Sequence, residues 1–329
     1  MKNLKLKNIS GSLIPLFLIA LITGPATSFA AGTNRAPGEG QSGFADKSNA
    51  PLPAAPGEIE QVFIPGGKVT LGSDSREKTY AYSIGGEGAR KWRWFDGEKK
   101  RTLFVGDFYI DKYPVTDAQY FLFVQATGHR APFISKEDYQ KQGFLVHPYS
   151  TVRPYLWHKE NKEKNTDRGK KAHNWARPPA DKLDNPVVLV SVGDARSYCR
   201  WRGGFNPEKT FSLPSEDQWE KAARGTDARY FPWGNSWDKT RANIGSTGPG
   251  GTTPVDRYPE GKSPYGVFDM AGNIFEWTDT PAAAGSTRFI LKSCSWDDMP
   301  GICRGAARHS RLKTSRHILI GFRCVSTNK

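Results

Sequence analysis

The chain has 329 residues, 37% of them of hydrophobic type, and a formal net charge of +14. That is enough apolar content for one large core or two modest ones, and a charged fraction of 24% excludes a disordered polyelectrolyte. With 34 Gly, 23 Pro and many aromatic residues it reads as a loop-rich domain filled by rings, and the lack of heptads and of a second apolar stretch excludes a long coiled coil and a multi-span membrane protein.

Lys2, Lys5 and Lys7 precede an apolar run from Leu13 to Thr23, and Ser28-Phe29-Ala30 follows. This pattern predicts a secretory signal peptide over 1–30, cleaved after about Ala30. The expected protein is therefore periplasmic or secreted, with no transmembrane anchor after cleavage. Loss of those lysines lowers the net charge to +11. Residues 31–57, rich in Gly, Pro, Ala and Ser, read as a flexible linker, and order is expected over 58–329.

EQVFIPGGKVTLGS predicts a strand, a tight Gly-Gly turn and a second strand, and residues 73–102, with Trp92 and Trp94, are expected to be irregular. FVGDFYIDKYPV is strand-like again. Thr116 predicts a helix cap, with the helix running to about Thr127 and stopping at Gly128. Residues 136–182 carry eleven Lys/Arg against six Asp/Glu and read as a basic insertion. It is either a solvated loop or a patch for an anionic surface or an acidic partner. No basic helix or nucleic-acid module is present, so nucleic acid is not an expected partner.

A second helix is predicted from about Val192 to Arg202. A third follows Ser215, which forms a capping box with Gln218. From Gly225 onward short strands and glycine-rich loops are expected, a length of loop that usually needs a metal or a disulfide. The spacings of Cys199, Cys294, Cys303 and Cys324 match no zinc knuckle, and spacing alone leaves all pairings open.

Taken together, FYIDKYPVTDAQYFLFVQATGH, NPVVLVSVGDARSYCRWRGG, FSLPSEDQWEKAARG, YFPWGN, YGVFDMAGNIFEWTD and IGFRCV resemble, in order and spacing, the formylglycine-generating enzyme (sulfatase-modifying factor) superfamily. The resemblance covers about residues 58–326. It implies an α/β (α+β) fold: a single compact, loop-rich domain of the C-type lectin-like type with little regular secondary structure. It also implies a disulfide between Cys199 and Cys324. On the chain-entropy account such a bridge contributes roughly 4–5 kcal/mol. A second family disulfide would use the positions of Ala223 and Gly305, and both partners are missing.

Founding members oxidise a substrate cysteine to formylglycine with oxygen and copper(I), held by two cysteines with four residues between them after a Gly-Gly-Ser. Here that triplet is Ser293-Cys294-Ser295. The first family cysteine falls on Asp298 and the second on about Met299 or Pro300. A carboxylate cannot reproduce a bis-thiolate copper(I) site, so formylglycine generation by the family mechanism is not expected. Copper enters only if Cys294 and Cys303 form a relocated thiolate pair. A structural disulfide and two separate thiols are the alternatives.

The resemblance further implies structural calcium at Asp269, the Gly272 and Ile274 carbonyls and Glu276. A second calcium set, at Asn243 and the Ile244 carbonyl, has lost its carboxylate near Thr247. Ser295, Cys294, Cys303 and Phe275 are the candidate catalytic residues. Trp296, Asp298, Arg304, Arg308 and His309 are candidates for binding a polar or anionic ligand. A metal site from His309, His317 and Asp298 is conceivable, and paired or solvated side chains are the plainer reading.

The expected activity is that of a divergent oxidoreductase or maturation enzyme acting on a small molecule or an exported protein. The alternatives are a non-catalytic lectin-like binding module, or an accessory factor of an envelope or redox system.

Overall fold

The computed structural model describes residues 56–142, 147–159 and 175–329. The expected signal peptide, all but the end of the linker, and the middle of the basic insertion lie outside these residues.

Strand β1 (Gln61–Ile64) does not pair with β2 (Gly67–Leu71), although a short Gly-Gly turn joins them. β1 lies antiparallel to β4 (Phe108–Asp111), whereas β2 lies antiparallel to β3 (Arg101–Val105). Gly66 is where the chain parts company with itself: a side chain there would sit 3.0 Å from the Asp107 amide. β4 continues to β10 (Val325–Asn328) and then to β5 (Lys209–Ser212), all antiparallel. The other sheet runs β8 (His309–Leu312), β7 (Arg288–Lys292), β6 (Phe275–Pro281), β9 (Ile320–Gly321), with β6 and β9 parallel.

Three helices follow their local signals. α3 (Asp117–Thr127) starts with a capping box of Thr116 and Gln119 and ends at Gly128, at φ 70°. α6 (Val192–Gly203) is capped by Ser191 with Asp194, and α7 (Glu216–Arg224) by Ser215 with Gln218. The stretch 73–102 is not irregular, because α1 (Ser75–Ile84) and α2 (Gly86–Lys91) fill its first half. Only Glu77 and Ala81 of α1 are buried, so it shows none of the apolar periodicity that identifies a helix in sequence. Two shorter helices, α4 (Lys136–Lys141) and α5 (Tyr149–Val152), lie in the basic insertion. No α-helix follows Arg224 among the described residues.

α7 packs with Ala222, Ala223 and Trp219 against Ile64, Leu71, Phe108, Ile110 and Val325, which forms one core. The larger core joins α3 and α6 to the second sheet through Tyr120, Phe123, Tyr198, Phe322 and Trp277. Cys199 of α6 is bonded to Cys324, and Cys294 to Cys303. The first pairing is the one implied by the resemblance. At the vacated second bridge, a side chain on Gly305 would place its Cβ 3.7 Å from that of Ala223, an ordinary disulfide spacing.

Candidate functional site

The site grows from the turn after β7. Ser293 has φ 67°, the left-handed region where glycine is at ease, so this backbone keeps a glycine-type conformation with a serine in it. The chain then folds into a tight loop. The Ser295 amide and hydroxyl both donate to Asp298 Oδ2, at 2.7 and 2.5 Å, and the Asp298 amide donates back to the Ser295 carbonyl. Burial pushes the Asp298 carboxyl up to about 6. The Ser295 hydrogen bonds oppose this, the Asp297 charge adds to it and Arg311 counteracts it.

Four residues separate Asp298 from Cys303, so the family spacing lands on Cys303 rather than on Met299 or Pro300. On the resemblance, Cys303 thus falls at the second copper-cysteine position and Asp298 at the first. Cys303 is bonded to Cys294, and neither has any exposed surface. In this form neither sulfur is a thiolate, and the pair does not fit copper(I).

Around this loop Trp296 is buried with its indole N–H unpartnered, and its ring lies 5.0 Å from that of His147. His147 Nε2 is 3.2 Å from Asp297 Oδ2. The Leu319 amide donates to His317 Nδ1, which leaves the proton on Nε2, 3.2 Å from the Tyr139 hydroxyl. That hydroxyl donates to the His147 carbonyl. Burial, then the charges of His147 and Arg311, hold His317 down at about 3. On the facing strand Phe275 packs edge-on to His309, whose Nε2 is buried without a hydrogen-bond partner. Burial, then Arg311, Lys292 and Arg304, lower His309 to about 3. Both imidazoles are therefore neutral. No group of three or more His, Cys, Asp or Glu side chains suited to a metal occurs among the described residues.

Arg304 is placed elsewhere. It has no exposed surface and donates to Ser73, Glu77 and Glu98 at 2.8–3.0 Å. Arg224 joins Glu77 to Glu220, and Lys292 closes on Glu220 at 3.1 Å. Six buried groups thus alternate in sign, which leaves Arg304 no face for a ligand. Arg308 grips Glu216 through two hydrogen bonds, at 2.9 and 3.1 Å. It borders a depression of about 460 Å³ with Lys99, Arg101 and Asp217. A second depression, about 530 Å³, lies over Trp233, Trp237 and Asp238.

The two calcium sets differ. Asp269, at φ 54°, is buried and accepts from Asn273 Nδ2 at 2.9 Å. Burial pushes its carboxyl up to about 7, against the Asn273 hydrogen bond and the Arg323 charge. The Gly272 carbonyl is on the same turn and accepts from the Ile274 amide. Glu276, by contrast, takes Arg323 Nη2 at 2.6 Å and Nε at 2.7 Å, plus the Trp219 indole at 2.9 Å. Its charge is already matched, so Asp269 is the remaining anionic donor, and the turn fits a hard cation through that carboxylate and neighbouring carbonyls. The second set does not fit. Asn243 Oδ1 is buried and unpartnered, but the Gly248 backbone closes over it, since a Cβ there would lie 1.8 Å away. The Ile244 carbonyl accepts from two amides, and the Thr247 hydroxyl donates to the Ala242 carbonyl.

The raised carboxyl of Asp269 sets a pH dependence. In the unfolded chain this group ionises near 3.8, so its contribution to stability is complete below that pH and is lost as pH rises through about 7. With calcium removed by a chelator, urea titrations at pH 5 and pH 8 are expected to show a loss of stability of which Asp269→Asn removes about 2–3 kcal/mol, while Asp298, also raised, keeps its own share. An unchanged loss in that variant refutes this assignment.

Sequence reasoning missed His147, Glu77 and Glu98. It also missed the partners of Glu276, although Trp219 and Arg323 lie in the quoted LPSEDQW and GFRC segments and were there to be paired.

Residues 48–328 match the family described as "Sulfatase-modifying factor enzyme 1-like domain". The inactive Cα-formylglycine-generating enzyme 2 of Bos taurus is 30% identical over 303 residues, covering 82% of this chain and 88% of that protein. The formylglycine-generating enzyme of Mus musculus is 30% identical, covering 86% and 80%. Among solved structures, PvdO from Pseudomonas aeruginosa superimposes with a TM-score of 0.56 at 20% identity, covering 81% of this chain and 93% of that one.

Proposed function

The chain belongs to the sulfatase-modifying factor enzyme 1-like family, and from that premise we propose that it is an exported, divergent member that does not generate formylglycine by the copper mechanism. It acts instead as a maturation factor that binds its target through the surface at Asp297–Met299, beside the buried Ser295. One observation carries this reading: Asp298 stands at the first copper-cysteine position, and Cys303, at the second, is consumed in a buried bond to Cys294. Likeness to a relative named as inactive supports it. Two disulfides support an oxidising compartment. The Asp269 turn would hold a structural calcium ion, with the Gly272 and Ile274 carbonyls beside it and no part in turnover.

A second reading keeps an enzyme of different chemistry. Asp298, at about 6 and hydrogen-bonded to the Ser295 hydroxyl, has the poise of a group that exchanges protons near neutral pH. That favours a maturation enzyme with acid–base chemistry over a pure binding module.

The test uses the purified full chain with copper(I), oxygen and a cysteine-containing sulfatase peptide, and an aminooxy probe reports the aldehyde. No aldehyde above background is expected, and formation at the rate of a formylglycine-generating enzyme control overturns the proposal. The double variant Cys294→Gly/Asp298→Cys frees Cys303 and restores two thiols at the family spacing. It is expected to gain stoichiometric copper(I) binding that the parent chain lacks, read by competition with a chromogenic chelator.

A further inference from the structure

The segment from Arg90 to Trp94 has no part in the site above. α2 ends at Lys91, and Trp92 follows with its amide donating to the Gly88 carbonyl at 3.0 Å. Arg93 then adopts φ 52°, a strained conformation for a long side chain. The reversal brings the Trp94 amide to the Ala89 carbonyl and its indole against Gly88. Trp92 is left outside, 43% exposed, with Arg90, Lys91 and Arg93 exposed around it. Lys91 Nζ lies 5.4 Å from the centre of that indole.

Cations predominate in this region, although Glu87 of α2 is exposed and Lys100 and Arg101 are paired with Asp74 and Asp217. Residues 90–101 hold six Lys/Arg and two acids. Glu98 is buried on Arg304, so Asp96, paired with Arg93 at 2.5 Å, is the acid of this segment that meets solvent.

We propose that Arg90, Lys91, Trp92 and Arg93 form a docking surface for a membrane interface that carries anionic lipid. An indole is at home between apolar and aqueous phases, and long basic side chains lay their methylenes along the apolar layer with the charge at the phosphates. The two depressions described above are lined by other residues. A planar interface needs no cleft, whereas an acidic peptide needs pockets to fix its side chains. The proposal uses none of the Asp297–Met299 surface and is independent of what that surface does.

The experiment is flotation of the full chain with phosphatidylcholine vesicles, with and without phosphatidylglycerol. Binding is expected only with phosphatidylglycerol and is expected to weaken with salt. Lys91→Glu/Arg93→Glu is expected to reduce partitioning by more than tenfold, at about fivefold per cation lost, with the melting temperature unchanged. Quenching of tryptophan emission by brominated lipid is expected to disappear in Trp92→Phe. Absence of binding to phosphatidylglycerol vesicles, or equal binding by the parent and the charge-reversed chain, overturns the proposal. Binding to heparin without binding to vesicles also overturns it and assigns the surface to a soluble polyanion.

Discussion

Arg304→Met is expected to destabilise the fold by about 3–5 kcal/mol, read as a lowered midpoint in urea with an unchanged slope. The arginine is enclosed and holds Glu77 and Glu98 by four hydrogen bonds at 2.8–3.0 Å, with Ser73 and the Gly301 carbonyl completing its partners. Methionine fills much of the volume, so the loss measures two carboxylates stranded away from water rather than a cavity. Burial already pushes Glu77 upward against the charges of Arg224 and Arg304. Removing Arg304 lets that burial act with less opposition, and the variant should therefore recover part of its stability in acid. Adding Glu98→Gln to Arg304→Met is expected to recover part of the loss at neutral pH, since one stranded charge is then gone. A loss below 1 kcal/mol in the single variant would mean that water or a compensating shift reaches these carboxylates.

Cys199→Ser/Cys324→Ser is expected to cost about 4–5 kcal/mol, because the bridge closes a separation of 125 residues in the unfolded chain. The urea slope should rise as the unfolded ensemble expands, which separates this effect from lost packing. Local geometry should survive in the folded state. Arg202, also on α6, grips Asp111 of β4 at 2.5 Å, and Asp111 accepts from the Cys324 amide at 2.9 Å. The same elements are therefore tied by a buried ion pair. Cys294→Ser/Cys303→Ser spans only nine residues and is expected to cost less, about 2–3 kcal/mol. If the two double variants cost the same, loop length is not what governs the stability of these bridges.

Taken alone, the sequence determined the parts of this protein that depend on neighbours a few residues apart. Thr116 with Gln119, and Ser215 with Gln218, fix helix starts through bonds between residues three apart, and Gly128 fixes a stop through its own backbone freedom. The ordered motifs determined the family and, through it, the Cys199–Cys324 pairing. Only the tertiary structure decided that Glu77, Glu98 and Arg304 are interior. Arg304 lies 227 and 206 residues away from those two glutamates, and an isolated charge in sequence carries no sign of burial. α1 was hidden for a related reason, since its few buried contacts include a glutamate rather than a row of apolar side chains. The choice among three readings of Cys294 and Cys303 was likewise tertiary. It depends on whether the loop brings Cys303 back to Cys294, 4.8 Å between Cα atoms across nine residues, which no contact within one turn decides. Where a contact spans one helical turn the sequence suffices. Where opposite charges must leave water together, the cost is met only by a fold that brings both at once.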